Sequence, residues 1–167
     1  ERAKPFNEFI EKEFPQLLTE EKPELNLVAG GDGSMLHAIS ATIDSQIPYL
    51  GKAMGTLNFL MNSFDNDYEI IQNILEDRIK LDVFESNTIA VYIDGKKIGE
   101  AVNDVILGHK VTDYLTFNIS TESGQFHNFE VKGTGLCIST PIGSTALNYN
   151  NNGRILPIDS GLLSITG

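Results

Sequence analysis

The sequence predicts an α/β lobe over residues 1–82 followed by a β-rich lobe over residues 83–167. Two observations carry this prediction. In the first part, apolar residues at helical spacing alternate with short apolar runs, which is the pattern of βαβ units and a parallel sheet. After about residue 80, apolar and polar residues alternate between turn sequences, which predicts antiparallel strands. The predicted fold class is therefore α/β plus all-β.

The elements of the first part follow from apolar periodicity. Helices are predicted where apolar side chains recur every three or four residues, and strands where a short apolar run lies between turns. In chain order, the pattern predicts a helix over 6–17, a strand over 25–29, a helix over 35–43, a strand over 47–50 and a helix over 68–79. A parallel sheet flanked by helices makes this lobe Rossmann-like.

The second part opens with a strong hairpin signal. Apolar runs flank Asp94-Gly95, and this dipeptide supplies the positive φ angles of a tight two-residue turn. Further on, apolar and polar residues alternate over 115–119, a turn is predicted at 122–125, and residues 126–131 return as a strand. Antiparallel strands of this kind predict a β-sandwich-like lobe.

The stretch Gly30-Gly31-Asp32-Gly33-Ser34 follows an apolar strand and opens a helix, so it predicts a phosphate cradle that contains a carboxylate. Glycines let the backbone turn tightly and approach an anionic ligand, and N–H groups at a helix start attract negative charge. Beside phosphate, Asp32 would repel the ligand unless it binds a metal ion or takes a proton from an attacking hydroxyl, which are both roles in kinases. The alternative is a strand-to-helix turn in which Asp32 is the N-cap.

Two later stretches place polar residues beside apolar strands. Asn103-Asp104 stands at the entry to an apolar strand, where it is either a strand-edge turn or a contact with a base edge or ribose hydroxyls. Residues 133–146 combine two glycine turns, a short strand and a Pro-Ile-Gly-Ser-Thr corner, with Ser144 or Thr145 as a candidate helix cap. An ordinary loop and cap is one interpretation, but the density of small hydroxyl residues and glycines favours close approach of a ligand.

Composition limits the class of ligand. The 167 residues carry a formal net charge of −11 with no block of Lys or Arg, which argues against nucleic acid as a partner. Cys137 is the only cysteine, which excludes an internal disulfide and a thiolate metal cluster, and its apolar neighbours predict a small buried residue. No apolar run approaches the roughly 20 residues that span a bilayer, so no membrane partner is predicted and a reducing cytoplasm is expected.

Taken together and in this order, these motifs resemble the NAD kinase family, and the resemblance runs over about residues 25–156. The Gly-Gly-Asp-Gly element is shared with diacylglycerol and sphingosine kinases and, more distantly, with phosphofructokinases. Residues 51–60 look like the family's glycine-rich segment that delivers an aromatic, here Phe59, to the nucleotide. Asn103-Asp104 matches the family's Asn-Glu/Asp pair. Residues 139–146 match its Ser-Thr-Pro-x-Gly-Ser/Thr-Thr-Ala motif, which lipid kinases and phosphofructokinases lack.

The resemblance implies a reaction and a set of site residues. NAD kinases transfer the γ-phosphoryl group of ATP, or in some members of polyphosphate, to the 2′-hydroxyl of the adenosine ribose of NAD, with Mg²⁺ or another divalent cation held by the substrate phosphates. Asp32 would be the catalytic residue that accepts the hydroxyl proton or orients the hydroxyl. The residues implied for ATP phosphate binding are Gly30, Gly31, Gly33, Ser34 and His37. Those implied for NAD binding are Asp32, Gly33, Phe59, Asn103, Asp104, Lys132, Thr134, Thr145, Ala146, Leu147, Asn148 and Asn150.

Several residues depart from the family's pattern. The family's Gly-Asp-Gly is Gly133-Thr134-Gly135 here, which replaces an ionised acceptor by a hydroxyl. The family's Tyr after Thr-Ala is Leu147, a usual glycine before the aromatic is Asn58, and the usual Gly-Gly after the motif is Asn152-Gly153. These changes leave Asp32 in place, so they bear on nucleotide preference more than on phosphoryl transfer.

Two other functions remain open. A lipid or other small-alcohol kinase would use the same cradle on a membrane-presented substrate, and a diverged nucleotide-binding protein would bind NAD or ATP without turnover. For His37, the alternative to phosphate contact is a solvated helix side chain. The resemblance also implies a further strand before Glu1 and more strands beyond Gly167, so we expect both lobes to be incomplete. It further implies a homodimer or homotetramer.

Overall fold

A computed structural model gives the structure of the chain and describes residues 2–19, 21–56, 58–108, 113–122 and 129–167. The chain divides into two compact units, Glu1–Val83 and Phe84–Gly167, and each is described by itself. Within the described ranges, none of the helices combines the length and apolar character needed to cross a membrane.

The first unit pairs two parallel strands among helices. Asn26 lies opposite Tyr49 and Gly30 opposite Ala53, so the parallel pairing predicted for the first part is confirmed. The elements of this unit are α1 (Lys4–Glu13), a 3₁₀ turn (Pro15–Leu17), β1 (Asn26–Gly30), α2 (Asp32–Ala41), a second 3₁₀ turn (Ile43–Ser45), β2 (Tyr49–Ala53) and α3 (Asp67–Leu75).

The core of the first unit joins α1 to α3. Phe6 and Ile10 on α1, and Phe14 directly after it, are buried together with Ile71 on α3. The ring of Phe14 also packs on Tyr68 with centroids 5.1 Å apart. Burial of these apolar side chains drives the packing of the two helices. The amphipathic patterns of both segments are thereby accounted for.

A mostly buried ion pair fixes β2 to the start of α3. Lys52 Nζ lies 2.5 Å from Asp67 Oδ1, and only 11% of the Lys52 side chain is exposed. The ammonium group also stands 5.0 Å from the centroid of the Phe64 ring. A buried ammonium group is unfavourable without an opposite charge beside it. The pair therefore keeps Asp67, the first residue of α3, next to Lys52 on β2.

Several element boundaries differ from the prediction. The helix predicted over 6–17 ends at Glu13, and Pro15–Leu17 form a separate 3₁₀ turn, because the backbone of Phe14 is not helical. β2 runs to Ala53 instead of ending at residue 50, because its last residues pair in parallel with β1. α2 already begins at Asp32, and α3 ends at Leu75 because Asp77 has φ +53°, which interrupts the helix two residues further on.

The second unit is built from antiparallel strands. They form three groups, β3 with β4, β6 with β7, and β8 between β5 and β9. The strands are β3 (Ile89–Ile93), β4 (Lys96–Ala101), β5 (Asp104–Gly108), β6 (Leu115–Ile119), β7 (Phe129–Gly133), β8 (Gly135–Ser139) and β9 (Ser164–Thr166), with a 3₁₀ turn (Ile142–Thr145) and the short helix α4 (Leu147–Asn150) between β8 and β9.

The local signals of the second part are largely confirmed. Asp94 and Gly95 have φ angles of +49° and +77° and join β3 to β4, as the hairpin prediction requires. The side chains of β6 alternate between half-buried and exposed. Cys137 is buried at the centre of β8, which confirms the prediction for this residue. Of the turn and return strand predicted at 122–131, residues 123–128 lie outside the described part of the chain.

Candidate active site

In the first unit, Asp32 is the first residue of α2 and its carboxylate is held by a distant peptide segment. The Phe59 N–H donates to Oδ1 and Oδ2 at 3.0 and 2.9 Å, and the Leu60 N–H donates to Oδ1 at 2.9 Å. Hydrogen bonds to an ionised carboxylate are among the strong ones in proteins. The N-cap of α2 is Gly31 without a side-chain bond, so the alternative in which Asp32 is the N-cap is wrong.

The segment that carries these two N–H groups is closed at its base against β1 and β2. Met54 N–H donates to the Gly30 carbonyl at 2.8 Å. Asn62 N–H donates to the Gly51 carbonyl at 2.8 Å, and Ala53 N–H donates to the Asn62 carbonyl at 2.9 Å. Gly51 is required here, because a side chain at that position would meet Met35 and the Leu60 carbonyl oxygen. The segment between these contacts is therefore a loop with a fixed base, which we call the 54–62 loop.

The predicted cradle residues differ in how closely they are packed. A Cβ on Gly30 would collide with the Ser34 side chain, so glycine is needed for the helix to start this close to β1. A Cβ on Gly33 would have no neighbour within 4 Å. His37 is exposed on α2. The start of α2 thus offers open space at Gly33 next to the held carboxylate of Asp32.

In the second unit, the Ser139–Ala146 stretch binds to its own chain. Thr140 Oγ1 donates to the Val102 carbonyl at 2.6 Å and accepts from the Gly143 N–H at 3.1 Å. The Thr140 N–H donates to the Asn103 carbonyl at 2.9 Å. A Cβ on Gly143 would collide with that same carbonyl oxygen. Thr140 and Gly143 therefore clamp the segment that carries Asn103.

Asn148 is a second centre of internal hydrogen bonds in this unit. Its side chain is fully buried, and its Nδ2 donates to the Ser144 and Arg154 carbonyls at 3.0 and 2.9 Å. Its Oδ1 accepts from Ser164 Oγ at 2.7 Å. Ser144 is also fully buried, and its Oγ donates to the Pro141 carbonyl and accepts from the Leu156 N–H. Asn148 and Ser144 hold together the chain on both sides of α4.

The predicted helix cap at this corner is wrong. The residue before α4 is Ala146, and it makes no side-chain cap bond. Ser144 is occupied as described, and Thr145 Oγ1 lies 3.4 Å from the Ile142 carbonyl within the 3₁₀ turn. A 3₁₀ turn bonds each hydroxyl back to the preceding turn, so neither reaches forward to α4.

Asn103 and Asp104 lie where Thr140 clamps the start of β5. Asn103 Oδ1 is buried and has no hydrogen-bond partner within the described part of the chain. Burial raises the pKa of the Asp104 carboxyl above its ordinary value of 3.8. A buried acceptor without a donor is rare in proteins. The Asn103 oxygen is therefore a candidate to accept a hydrogen bond from a ligand.

The other predicted NAD-binding residues of this unit lie on its surface or at its edge. Lys132, Thr134 and Asn150 are exposed. Lys132 Nζ lies 2.9 Å from Glu130 Oε1. Thr145, Ala146 and Leu147 are half-buried along the 3₁₀ turn and the start of α4. In unit one, Phe59 is also exposed, with 67% of its surface accessible.

Sequence reasoning missed the contribution of backbone groups and of Asn58. The two N–H groups on Asp32 belong to residues 27 and 28 positions away, and any residue type supplies an N–H. Asn58 Nδ2 donates to the Gly55 carbonyl at 3.0 Å, a hydrogen bond within the 54–62 loop. Asn and Gly are turn residues, so the pair Gly55 and Asn58 was the available signal.

Comparison with known proteins points to one family. A family profile described as the ATP-NAD kinase N-terminal domain matches residues 2–80. An NAD kinase of Rickettsia africae is 31% identical over 150 residues, covering 87% of this chain and 56% of the relative. An NAD kinase of Rickettsia felis is 33% identical over 149 residues with the same coverage. The chain spans a little over half the length of the curated relatives it matches.

Two solved structures share the fold. Yeast NADH kinase complexed with NADH matches with a TM-score of 0.61 at 24% identity, over 87% of this chain and 44% of that chain. An NAD kinase from Archaeoglobus fulgidus in complex with ATP matches with a TM-score of 0.66 at 15% identity, over 96% of this chain and 66% of that chain. At these identities the likeness concerns the fold.

The first unit thus has two parallel strands joined through a helix, with a held carboxylate in a Gly-Gly-Asp-Gly turn, and the second unit has antiparallel sheets. Over 87% of its length the chain is similar to NAD kinases, and residues 2–80 match the N-terminal domain of that family.

Proposed function

We propose that the protein is an NAD kinase, which transfers the γ-phosphoryl group of ATP, or of polyphosphate, to the 2′-hydroxyl of the adenosine ribose of NAD and so forms NADP. The observation that carries this proposal is the carboxylate of Asp32, held at the start of α2 by the Phe59 and Leu60 N–H groups. The names of the relatives support it, since the Rickettsia proteins are NAD kinases and the two solved structures contain NADH and ATP.

In this proposal Asp32 is the general base. Its Oδ1 accepts both N–H groups, and its Oδ2 accepts only that of Phe59 among the described residues, so Oδ2 keeps capacity to accept a hydroxyl proton. The 2′-oxygen forms a bond to the γ-phosphorus while the bond from that phosphorus to the bridging oxygen of ADP breaks. The proton of the hydroxyl passes to Asp32 and then to solvent. The phosphates of the donor are proposed to be held by Gly30, Gly31, Gly33, Ser34 and His37.

A divalent cation, Mg²⁺ by preference, fits this site as a partner of the substrate phosphates. No group of three or more His, Cys, Asp or Glu side chains that could hold a metal is present in the described ranges. Mg²⁺ usually keeps several waters and binds one or two carboxylates together with phosphate oxygens, so it needs no protein cage. When bound, it would neutralise charge on the phosphates. In this proposal the substrate phosphates hold the cation, and Asp32 Oδ2 keeps its capacity to accept the hydroxyl proton.

For the second unit we propose NAD binding. The unpartnered Oδ1 of Asn103 and the carboxyl of Asp104 fit the amino and hydroxyl donors of a nucleoside. Asn148 would act by holding the turn at α4, given its internal hydrogen bonds. The other residues proposed to contact NAD are Phe59 in the first unit and Lys132, Thr134, Thr145, Ala146, Leu147 and Asn150 in the second.

The same proposal includes the role of each lobe, the oligomeric state, the cellular location and the classes of partner. Residues 1–82 would be the Rossmann-like lobe that binds nucleotide phosphates, and residues 83–167 the sandwich-like lobe that binds NAD. We expect a homodimer or homotetramer and a cytoplasmic location, with no nucleic acid or membrane partner. The net charge of −11 supports the expectation that nucleic acid is not a partner. The single cysteine, which is buried, supports the expectation of a reducing, cytoplasmic location.

The test is formation of NADP by the full chain in the presence of Mg²⁺ and NAD, with ATP or polyphosphate as donor, followed by an NADP-specific dehydrogenase. We expect turnover by the parent protein and a loss of about 100-fold or more in Asp32→Asn, the range for removal of a general base. Asp44→Asn, an exposed carboxylate in the same unit, is the matched control and should retain the parent rate.

A folded protein that binds NAD but forms no NADP would contradict the proposal. It would favour the non-catalytic alternative, for which the departures Thr134 and Leu147 give a reason. Phosphorylation of a membrane-presented alcohol in a parallel assay would favour the lipid kinase alternative.

A further inference from the structure

The side chain of Asn58 is hydrogen-bonded within the 54–62 loop and lies near the N-cap of α2. Its Nδ2 donates to the Gly55 carbonyl at 3.0 Å. Its Oδ1 lies 3.4 Å from the position that a Cβ on Gly31 would take, beside the N-cap of α2. This half-buried side chain is thus hydrogen-bonded to Gly55 and leaves little space for a side chain at Gly31, the residue that precedes Asp32.

The position of this side chain matters because the next two residues hold Asp32. The N–H groups of Phe59 and Leu60 point at the Asp32 carboxylate, and they directly follow Asn58 along the chain. The Phe59 ring does not anchor this part of the loop, since 67% of the residue is exposed. The base of the loop is fixed by Met54 and Asn62, several residues away on either side. Among the described residues next to these two N–H groups, Asn58 has a side chain that is hydrogen-bonded within the loop.

We propose that Asn58 is a positioning residue for the catalytic carboxylate. Through its hydrogen bond to the Gly55 carbonyl, its amide fixes the direction of the Phe59 and Leu60 N–H groups, and these in turn fix the carboxylate of Asp32. Asn58 has a restricted backbone, unlike a glycine at the same place, so its side-chain bond and its backbone both limit the conformations of the loop. This inference rests on the proposed kinase function for its catalytic consequence, but its structural part does not.

The test compares the full-length parent with Asn58→Ala in two independent measurements. The first is amide hydrogen exchange of Phe59 and Leu60, which we expect to become about fivefold faster in the variant, as loss of one neutral hydrogen bond implies. The second is steady-state formation of NADP, in which kcat should fall about three- to tenfold while KM for ATP changes less than twofold. The matched control is Asn7→Ala, which removes an exposed asparagine from α1 and should change neither quantity.

Three outcomes would overturn the proposal. Unchanged exchange at Phe59 and Leu60 would show that Asn58 does not order these groups. Faster exchange throughout the first unit would show a general structural role, and a rise in KM with kcat unchanged would show that Asn58 affects substrate binding and not the carboxylate. If the parent forms no NADP, the proposed function fails, and the exchange measurement still decides whether Asn58 holds the loop.

Discussion

The glycine-rich turn of the first unit and the Ser139–Ala146 stretch of the second use their polar side chains in opposite ways. Asp32 is half-buried, and its carboxylate is held by backbone N–H groups beside open space at Gly33. Thr140 and Ser144 are fully buried, and their hydroxyls bond to their own chain. The first stretch presents a carboxylate beside open space, and the second builds the backbone that carries Asn103.

This difference changes what each stretch should tolerate. Substitutions at Asp32 and Gly33 should affect the reaction while leaving the fold largely intact, since a side chain at Gly33 would meet no atom within 4 Å. Substitutions in the second stretch should affect folding first, because buried donors and acceptors would lose their partners. The predictions below follow this division, from the largest expected change in stability to the smallest.

The largest effect is expected for Asn148→Ala. It would leave the Ser144 and Arg154 carbonyls and the Ser164 hydroxyl without their partner in a fully buried position. We expect the free energy of unfolding to fall by about 3–5 kcal/mol. Denaturant unfolding followed by circular dichroism measures this change.

Asn150→Ala is the matched control, because this asparagine lies two residues away on the same helix and is exposed. It should change the free energy of unfolding by less than about 0.5 kcal/mol. Equal effects of the two substitutions would show that the hydrogen bonds of Asn148 do not hold this corner.

A second contrast compares one glycine from each stretch. Gly143→Ala brings a Cβ onto the Asn103 carbonyl oxygen, which belongs to the backbone and cannot rotate away. We expect a loss of about 2–3 kcal/mol, measured by thermal or denaturant unfolding. A variant as stable as the parent would contradict the close packing described for Thr140 and Gly143.

Gly33→Ala should behave in the opposite way. The new methyl group meets no atom within 4 Å, and alanine is the better helix former, so stability should stay the same or rise by up to about 1 kcal/mol. Because the methyl group would stand where phosphate is proposed to approach, KM for ATP should rise several-fold. An unchanged KM would argue against phosphate binding at Gly33.

The smallest effect concerns Asp104 and pH. Burial raises its pKa in the folded protein, so ionisation of Asp104 costs stability. The cost is absent below the pKa of the unfolded chain and develops as pH rises through the folded pKa. Asp104→Asn should therefore match the parent at the acid end of the range and gain a slightly higher Tm, by about 2 °C or less, at neutral pH. A difference that shrinks as pH rises, measured by thermal unfolding, would contradict this sign.

Much of the fold was predictable because its signals are local. The turn at Asp94-Gly95 requires positive φ angles that few other dipeptides supply, and it forms where predicted. The parallel pairing of β1 with β2 follows from strands separated by a helix. The end of β2 was placed less well, since it depends on pairing with the distant strand β1.

The geometry of the candidate site was predictable only in part. The sequence singles out Asp32 by its unusual charge among glycines. It does not indicate that Phe59 and Leu60 hold this carboxylate, because the groups involved are backbone N–H groups distant in sequence. The hydroxyl of Ser144 was interpreted as a candidate helix cap. In the structure it donates to the Pro141 carbonyl three residues earlier and accepts from the Leu156 N–H twelve residues later.

The most direct test of the contrast between the two stretches measures activity and stability together in Asp32→Asn and Thr140→Val. We predict that Asp32→Asn loses about 100-fold or more of NADP formation while its free energy of unfolding changes by less than about 1 kcal/mol. Thr140→Val should lose about 2–3 kcal/mol of stability while its folded fraction keeps the parent rate within about threefold. An active Asp32→Asn variant, or a fully stable Thr140→Val variant that is inactive, would contradict the account.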